Sequence, residues 1–439
     1  MKNTIAEITQ KLWTPAKRLY QEGLSYHTYL TELTWLLFLK IAPALGKSSI
    51  VPTHFSWLTL ISKAGREQYE YYQRFLKEMT KVNDPNIAGI YTLAETSFEN
   101  HEQLAQAISV LAITDGLHND EFGAVYDSLL QNCAYEQDNP LYIVPSPLVD
   151  VMVVLTEPQR GESIQDPFAG TGCFVIATDQ YIKVTSDDFF DTDIKEQKII
   201  AIEPELVRQR FALMNCLLHG VGDSQYIPVR WGDSLLSKIE KWPPADVIFS
   251  MLLDKDERSL ALLQHIYQIL KHGGRAAVIL PDNILKETGA AQELRTTLLE
   301  TCVIHTVLRL PQGVFYPHKA QAHLVFFRKG EKTENVWFFD ARSQWPILGE
   351  YLHLTREHLR PFEIVYGDEP FGKAPRQEKE GEENNWRCFS RDELAEQGDR
   401  LDLCWLENEG ARKAITDEIS ALLDDTVSDL EALTLLLGS

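Results

Sequence analysis

The hydrophobic rhythm of the chain changes along its length. Up to about residue 140, apolar positions recur three and four apart: Leu12, Ala16 and Leu19, then Tyr26, Leu30, Leu33 and Leu37. That spacing lines one face of a helix. The segment "HEQLAQAISVLAI" does the same and strand-like runs are scarce, so residues 1–140 are predicted to form a helical N-terminal domain with Trp13, Tyr29, Leu36 and Leu39 in its core. From 141 to 345, short β-rich runs alternate with helical segments: "SIQDPFA", "KIIAIEP", "YIPVRWG", "ADVIFS", "GRAAVILP", "CVIHTVLRL", "HLVFFRKG" and "NVWFFD". Such alternation predicts an α/β domain with helices on both faces of a sheet that is parallel for the most part, and the fold expected is a central mixed sheet flanked by helices. Ligands of these sheets bind beyond the carboxyl ends of the strands. From 346 to 439 the chain turns polar. "YGDEPFGKAPRQEKEGEENNW" reads as an exposed linker or loop. The tail carries Ile415, Ile419, Leu422, Leu423, Leu430, Leu433 and Leu437 at near-heptad spacing, a helical C-terminal extension suited to packing on this chain or on a partner.

Length and charge narrow the picture. A chain of 439 residues exceeds one core and implies two or three domains. Its net charge of −22 makes it a poor free-standing DNA or membrane binder, because phosphates are repelled except at a local basic patch. A partner would supply much of any positive field. Cys133, Cys173, Cys216, Cys302, Cys388 and Cys404 show no zinc or redox spacing and read as reduced structural thiols of a cytoplasmic protein. The histidines show no metal signature. "MKNTIAEITQ" lacks the apolar stretch of a signal peptide. "LTWLLFLKIAPAL" is too short to span a bilayer and contains Lys40, so no membrane partner is expected.

Candidate chemistry gathers in the alternating region. "SIQDPFAGTGCFVIATDQYI" reads as strand, tight glycine turn and helix, with Gly170 and Gly172 allowing close ligand approach beside helix-terminal amides. Glu203 closes the next strand, where an acid accepts from ribose hydroxyls. Asp233 follows the third strand in "GDSL", placed to accept from an adenine amine; its bland alternative is a helix cap. Glycine loop, acid and acid at successive strand ends is the layout of an S-adenosylmethionine pocket.

The chain resembles the modification subunit of type I restriction-modification systems, a family of adenine-specific DNA methyltransferases, over nearly all its length. The likeness is carried by "LWTPAKRLY" and "WLLFLKIAP", "GAVYDSLL", "DPFAGTGCFVIA", "FALMNCLLHG" (the most specific), "LKHGGRAAVILP", "LPQGVF", "HLVFFRKG", "LTREHLRPF" and "FSRDELAEQGDRLDL". It implies a Rossmann-like class I methyltransferase domain. It also implies cofactor contacts at Asp166, Gly170, Gly172, Glu203 and Asp233, and at Pro145 of "YIVP", where the family has Phe-Tyr-Thr-Pro. A separate specificity subunit, gripped partly by C-terminal helices, reads the DNA in this family.

Two departures touch the cofactor. "YIVP" lacks the threonine hydroxyl, and Cys173 replaces the usual second glycine of the turn. S-adenosylmethionine is expected, held more weakly than in the family or not at all. The larger departure lies at the end of the fourth strand, where the family carries Asn-Pro-Pro-Phe or Asn-Pro-Pro-Tyr. The asparagine oxygen and a proline-segment carbonyl accept the two hydrogens of adenine's amine, and the ring stacks on the flipped base. Fixed acceptors aimed at the nitrogen stabilise the charge it develops. Here those positions are Met251, Leu252, Leu253 and Asp254. A thioether accepts weakly, leucine imposes no proline geometry and aspartate cannot stack. The family's long loop after the motif is also missing, since "KDERSLALLQHIYQIL" starts a helix almost at once. The expectation is a closed, apolar strand end with Asp254 capping a helix near Arg258. The leading reading is a catalytically inactive modification-type subunit, a scaffold or DNA-contacting part of a restriction or phage-defence complex. It would meet a specificity-type subunit or a second copy through its tail. The alternatives are an active adenine methyltransferase whose acceptors come from elsewhere, or a methyltransferase for RNA, protein or a small molecule.

Overall fold

The computed structural model describes residues 4–136, 142–186, 199–236, 242–253, 257–318, 320–343, 348–349, 352–378, 385–403 and 405. The chain divides into two compact units. The first takes residues 1–252 and 261–274, the second 253–260 and 275–439.

The first unit begins with helices α1 (Ile5–Gln21), α2 (Tyr26–Ile41), α3 (Trp57–Ile61), α4 (Gly65–Met79), α5 (Pro85–Ile90), α6 (His101–Val110) and α7 (Glu121–Tyr135). Among the described residues up to Tyr135 there is no strand. Local signals start several of these helices. Thr4 and Glu7 form a capping box on α1, Ser25 accepts from the Thr28 N–H on α2, and Asp84 accepts from Asn86 and Ile87 on α5. Trp13, Tyr29, Leu36 and Leu39 are all buried, as the helical spacing predicts.

There follow α8 (Ser146–Thr156), β1 (Ile164–Asp166), α9 (Cys173–Thr185), β2 (Ile199–Glu203), α10 (Leu206–Leu218), β3 (Val229–Trp231) and β4 (Ala245–Met251). The strands run β3-β2-β1-β4, and the pairs of β1 with β2 and β4, and of β2 with β3, are parallel. Parallel pairing sends every carboxyl end to one edge, so Asp166, Glu203 and Trp231 close their strands on the same side. The helix α10 is buried on every face from Gln209 to Cys216. Phe211, Leu213, Met214 and Leu218 join the helical core. On other faces Gln209 donates to the Val229 carbonyl of β3, and Asn215 to the Thr171 carbonyl of the glycine turn.

Helix α11 (Glu257–Ile269) and strand β5 (Leu270–Pro281) come next, then α12 (Asp282–Lys286), α13 (Ala290–Thr301), β6 (Cys302–Arg309), β7 (Ala322–Lys329), β8 (Asn335–Asp340), α14 (Arg356–Tyr366), β9 (Trp386–Ser390) and α15 (Arg391–Glu396). In the second unit the order is β5-β7-β6-β8-β9. Here the sheet becomes mixed, as expected for the central domain. Strand β7 is antiparallel to both β5 and β6, β8 is parallel to β6, and β9 is antiparallel to β8. The polar stretch expected as an exposed linker or loop is anchored at both ends. Tyr366 is buried at the end of α14, and Trp386 opens β9 with almost no exposure. Between them Arg376 donates to the Thr306 hydroxyl (2.9 Å) and stacks on Tyr366 and Trp386. Polar composition gave no sign of this arginine contact. Cys404 and the heptad-spaced tail lie outside the described residues.

Candidate functional site

The site is built where β1 and β2 end in the first unit. After β1 the chain turns through Phe168 to Gly172. The Ala169 N–H donates to the Ile202 carbonyl (2.9 Å), which fastens the turn to β2. Gly170 has φ +56, and a Cβ there would meet nothing within 4 Å, so the turn presents bare backbone to open space. Gly172 has φ +79, and a Cβ would sit 3.3 Å from the Cys216 sulfur of α10. One glycine faces outward and the other lets two helices meet.

Asp166 is buried, and its Oδ1 accepts from the Phe168 N–H (3.1 Å) and the Ser250 hydroxyl (3.0 Å). Its Oδ2 is buried with no hydrogen-bond partner. Burial pushes the carboxyl up to about 7, against the pull of those two donors. A buried carboxylate oxygen without a donor is costly unless a ligand supplies one.

Glu203 has no exposed surface. Its Oε2 accepts from the Gly170 N–H (2.9 Å) and its Oε1 from the Glu205 N–H (3.0 Å). The Arg208 Nε lies 2.9 Å from the same Oε1. Its guanidinium stands over the Phe168 ring, 5.4 Å from the centroid. Burial raises the Glu203 carboxyl, and Arg208 and the two amides oppose the rise.

Asp233 is half-buried and its Oδ1 accepts from the Leu235 N–H (3.0 Å). Beside it the indole of Trp231 is 56% exposed while its N–H donates to the Pro204 carbonyl (3.0 Å). Pro145 precedes α8, and Ile143 and Val144 of the same segment line a cavity of about 150 Å³ with Thr171 and Cys173 of the glycine turn. That is below the roughly 300 Å³ at which pockets for drug-sized ligands begin.

At the end of β4 the structure places Met251, Leu252 and Leu253 at 9%, 0% and 6% exposure. Helix α11 begins at Glu257, so only residues 254–256 separate it from Leu253. Asp254 lies outside the described residues.

Residues 117–253 and 247–403 match the N-6 DNA Methylase family. The chain belongs to that family. It is 31% identical to the StySJI type I restriction enzyme methylase subunit of Salmonella typhimurium, with 99% of this chain and 96% of the relative covered. It is 32% identical to the EcoKI methylase subunit of Escherichia coli K12 at the same coverage. Both alignments run over 505 positions, more than the 439 residues of this chain, so each relative has segments without a counterpart here. Among solved structures, the EcoKI M protein is 30% identical over 98% of this chain and 96% of its own, with a TM-score of 0.55. A chain from a study of type I restriction-modification complex assembly covers 99% of each at a TM-score of 0.73 and 21% identity, which speaks for the fold alone. The fold is thus that of the type I methylase subunits, whose family uses S-adenosylmethionine in general.

For an N-6 DNA methylase the site is uneven. Asp166, Gly170 and Glu203 come together within one turn, as the motif spacing predicts, and Asp233 stands two residues beyond β3. Two contributors escaped the sequence reading. Ser250, the residue before the altered motif, holds Asp166. Arg208 carried a readable signal, five residues past Glu203 in the first turn of α10.

Proposed function

We propose that the chain is a non-catalytic methylase-type subunit that keeps a cofactor site and has lost the pocket for the target adenine. The observation that carries this reading is the burial of Met251, Leu252 and Leu253 where an acceptor for the amine is needed. Burying each apolar side chain is worth about 1.5–3 kcal/mol, which favours a closed strand end. None of the three side chains offers more than a thioether to an N–H donor.

The cofactor half fits S-adenosylmethionine on two observations, the open space over Gly170 and the unpartnered Oδ2 of Asp166. When bound, the cofactor supplies an electrophilic methyl group. Asp166 would accept from its ammonium, the Gly170 turn would lie against it, and Glu203 and Asp233 would receive the ribose and the adenine amine. Pro145 and its segment would border the glycine turn.

In this reading the chain serves as a scaffold or DNA-contacting subunit of a restriction-type complex, joined by a specificity-type subunit or by a second copy through the C-terminal helices. Its relatives are named as subunits of type I restriction enzymes, and its own charge of −22 calls for a partner on DNA. Radiolabelled S-adenosylmethionine incubated with the chain, a specificity-type subunit and DNA bearing its site should leave no label in adenine. Restoring Asn-Pro-Pro-Phe at 251–254 should not rescue transfer, because the loop that follows is short. Label in adenine from the unaltered chain, lost on Asp254→Ala, would establish the active-enzyme alternative. Removing residues after 412 should weaken assembly in size-exclusion chromatography; an unchanged elution pattern would assign the apolar stripe to local packing.

A further inference from the structure

We propose that Arg208 is a latch on the ribose acid: it holds the acceptor position on Glu203 that a nucleoside cis-diol needs, so both ribose hydroxyls can be bound only when its guanidinium has swung away. The proposal rests on the cofactor reading above and adds to it the residue that sets affinity and sugar recognition.

An ionised carboxylate offers about four acceptor positions. On Glu203 the Gly170 N–H takes one at Oε2, and the Glu205 N–H takes one at Oε1. Arg208 stands against Oε1 at 2.9 Å. What remains is one position, on Oε2, while a cis-diol brings two donors. The backbone amides cannot yield, since one belongs to the glycine turn and the other leads into α10. Arg208 can. Its side chain keeps 21% of its surface exposed, whereas that of Glu203 keeps none, so the arginine can leave towards water and the acid cannot. The Nε–H makes no aligned hydrogen bond, so Arg208 covers the second position on Oε1 as a close ion pair, barring a hydroxyl without filling the lone pair, and is the easier to displace. Phe168 supports the closed position from beneath the guanidinium.

The latch has a signature in sugar recognition. Closed, the site reads one hydroxyl, so removing the other from the ligand costs little. Open, it reads two, and removing either costs about tenfold, the usual effect of a lost charge-assisted hydrogen bond. Calorimetric titration of the full chain with S-adenosylhomocysteine, adenosine, 2′-deoxyadenosine and 3′-deoxyadenosine tests this. The variants are Arg208→Ala, Arg208→Gln, which keeps a neutral donor, and Glu203→Gln, each checked for folding by thermal melting. Both Arg208 variants should bind S-adenosylhomocysteine about tenfold more tightly than the parent. In both, each deoxy analogue should fall about tenfold below adenosine, whereas in the parent at least one should bind within threefold of it. If the parent binds and the Arg208 variants bind equally or more weakly, the latch is overturned while the cofactor site stands, and Arg208 is a support for Glu203. If neither the parent nor any folded variant binds at millimolar ligand, the cofactor reading falls and the latch with it.

Discussion

Two buried carboxyls, Glu32 and Asp166, are both pushed up to about 7 by burial, yet their surroundings differ. Glu32 is fully engaged: Oε2 accepts from the Tyr72 hydroxyl (2.7 Å), and Oε1 from the Thr96 hydroxyl (2.9 Å) and the Ser97 N–H. It ties α2 to α4 and needs no ligand. Asp166 has an oxygen left over. For either acid, a folded value above the unfolded one means that stability is full at low pH and is lost as pH rises towards about 7. Melting temperature should therefore fall between pH 5 and pH 8. Asp166→Asn should flatten that fall, because an amide does not ionise, and should raise the melting temperature at pH 8. The same substitution should weaken S-adenosylmethionine, whose ammonium favours the ionised acid. Parent affinity for the cofactor should accordingly increase from pH 6 to pH 8, with proton release visible as a buffer-dependent enthalpy. A cofactor affinity independent of pH would show that Asp166 does not receive the ammonium. At this scale the sequence displayed the motif positions, because glycine turns and strand-end acids follow from local spacing. It did not display Ser250 on Asp166, a contact made 84 positions away.

Among elements, α10 does the most joining within the first unit. Arg210 is buried on it, donates to the Ile90 and Thr92 carbonyls (both 2.8 Å), and stands 4.8 Å over the Trp35 ring. Burial lowers its guanidinium to about 10, still charged at neutral pH. Arg210→Met keeps much of the stem but strands the Thr92 carbonyl and leaves the Ile90 carbonyl, at the end of α5, with only the Trp35 indole N–H. The loss of buried charge-assisted bonds should cost about 2–3 kcal/mol, read as a lower urea midpoint at unchanged slope. A shift within experimental error would assign the α10 junction to apolar packing alone. The stretch "FALMNCLLHG" stood out in the sequence for its likeness to the family, and its pattern leaves little polar face. Which neighbours it would meet was beyond the pattern, because periodicity gives a face and no partner. The same limit hid β7, whose apolar run "HLVFF" reads alike in a parallel or an antiparallel pair.

For the molecule as a whole, the order of helices, then alternating strands and helices, was legible because the periods differ, and the −22 charge was legible outright. That charge sets the last expectation. Each basic side chain that meets a phosphate releases counterions, so DNA affinity without sequence reading is governed by local positive charge and by salt. With 64 acidic against 42 basic residues, the repulsion from the rest of the surface opposes any such patch. In a gel-shift assay at about 0.15 M salt, where charges more than about 8 Å apart are largely screened, the isolated chain should not retain duplex DNA. Lowering the salt should not recruit it, because weaker screening strengthens the repulsion along with any attraction. Adding a specificity-type subunit should produce a retained complex whose affinity falls steeply with salt, the slope reporting the phosphates contacted by the pair. If the isolated chain binds duplex DNA tightly at physiological salt, its surface holds a basic patch strong enough to act alone, and the partner would serve sequence choice rather than attachment.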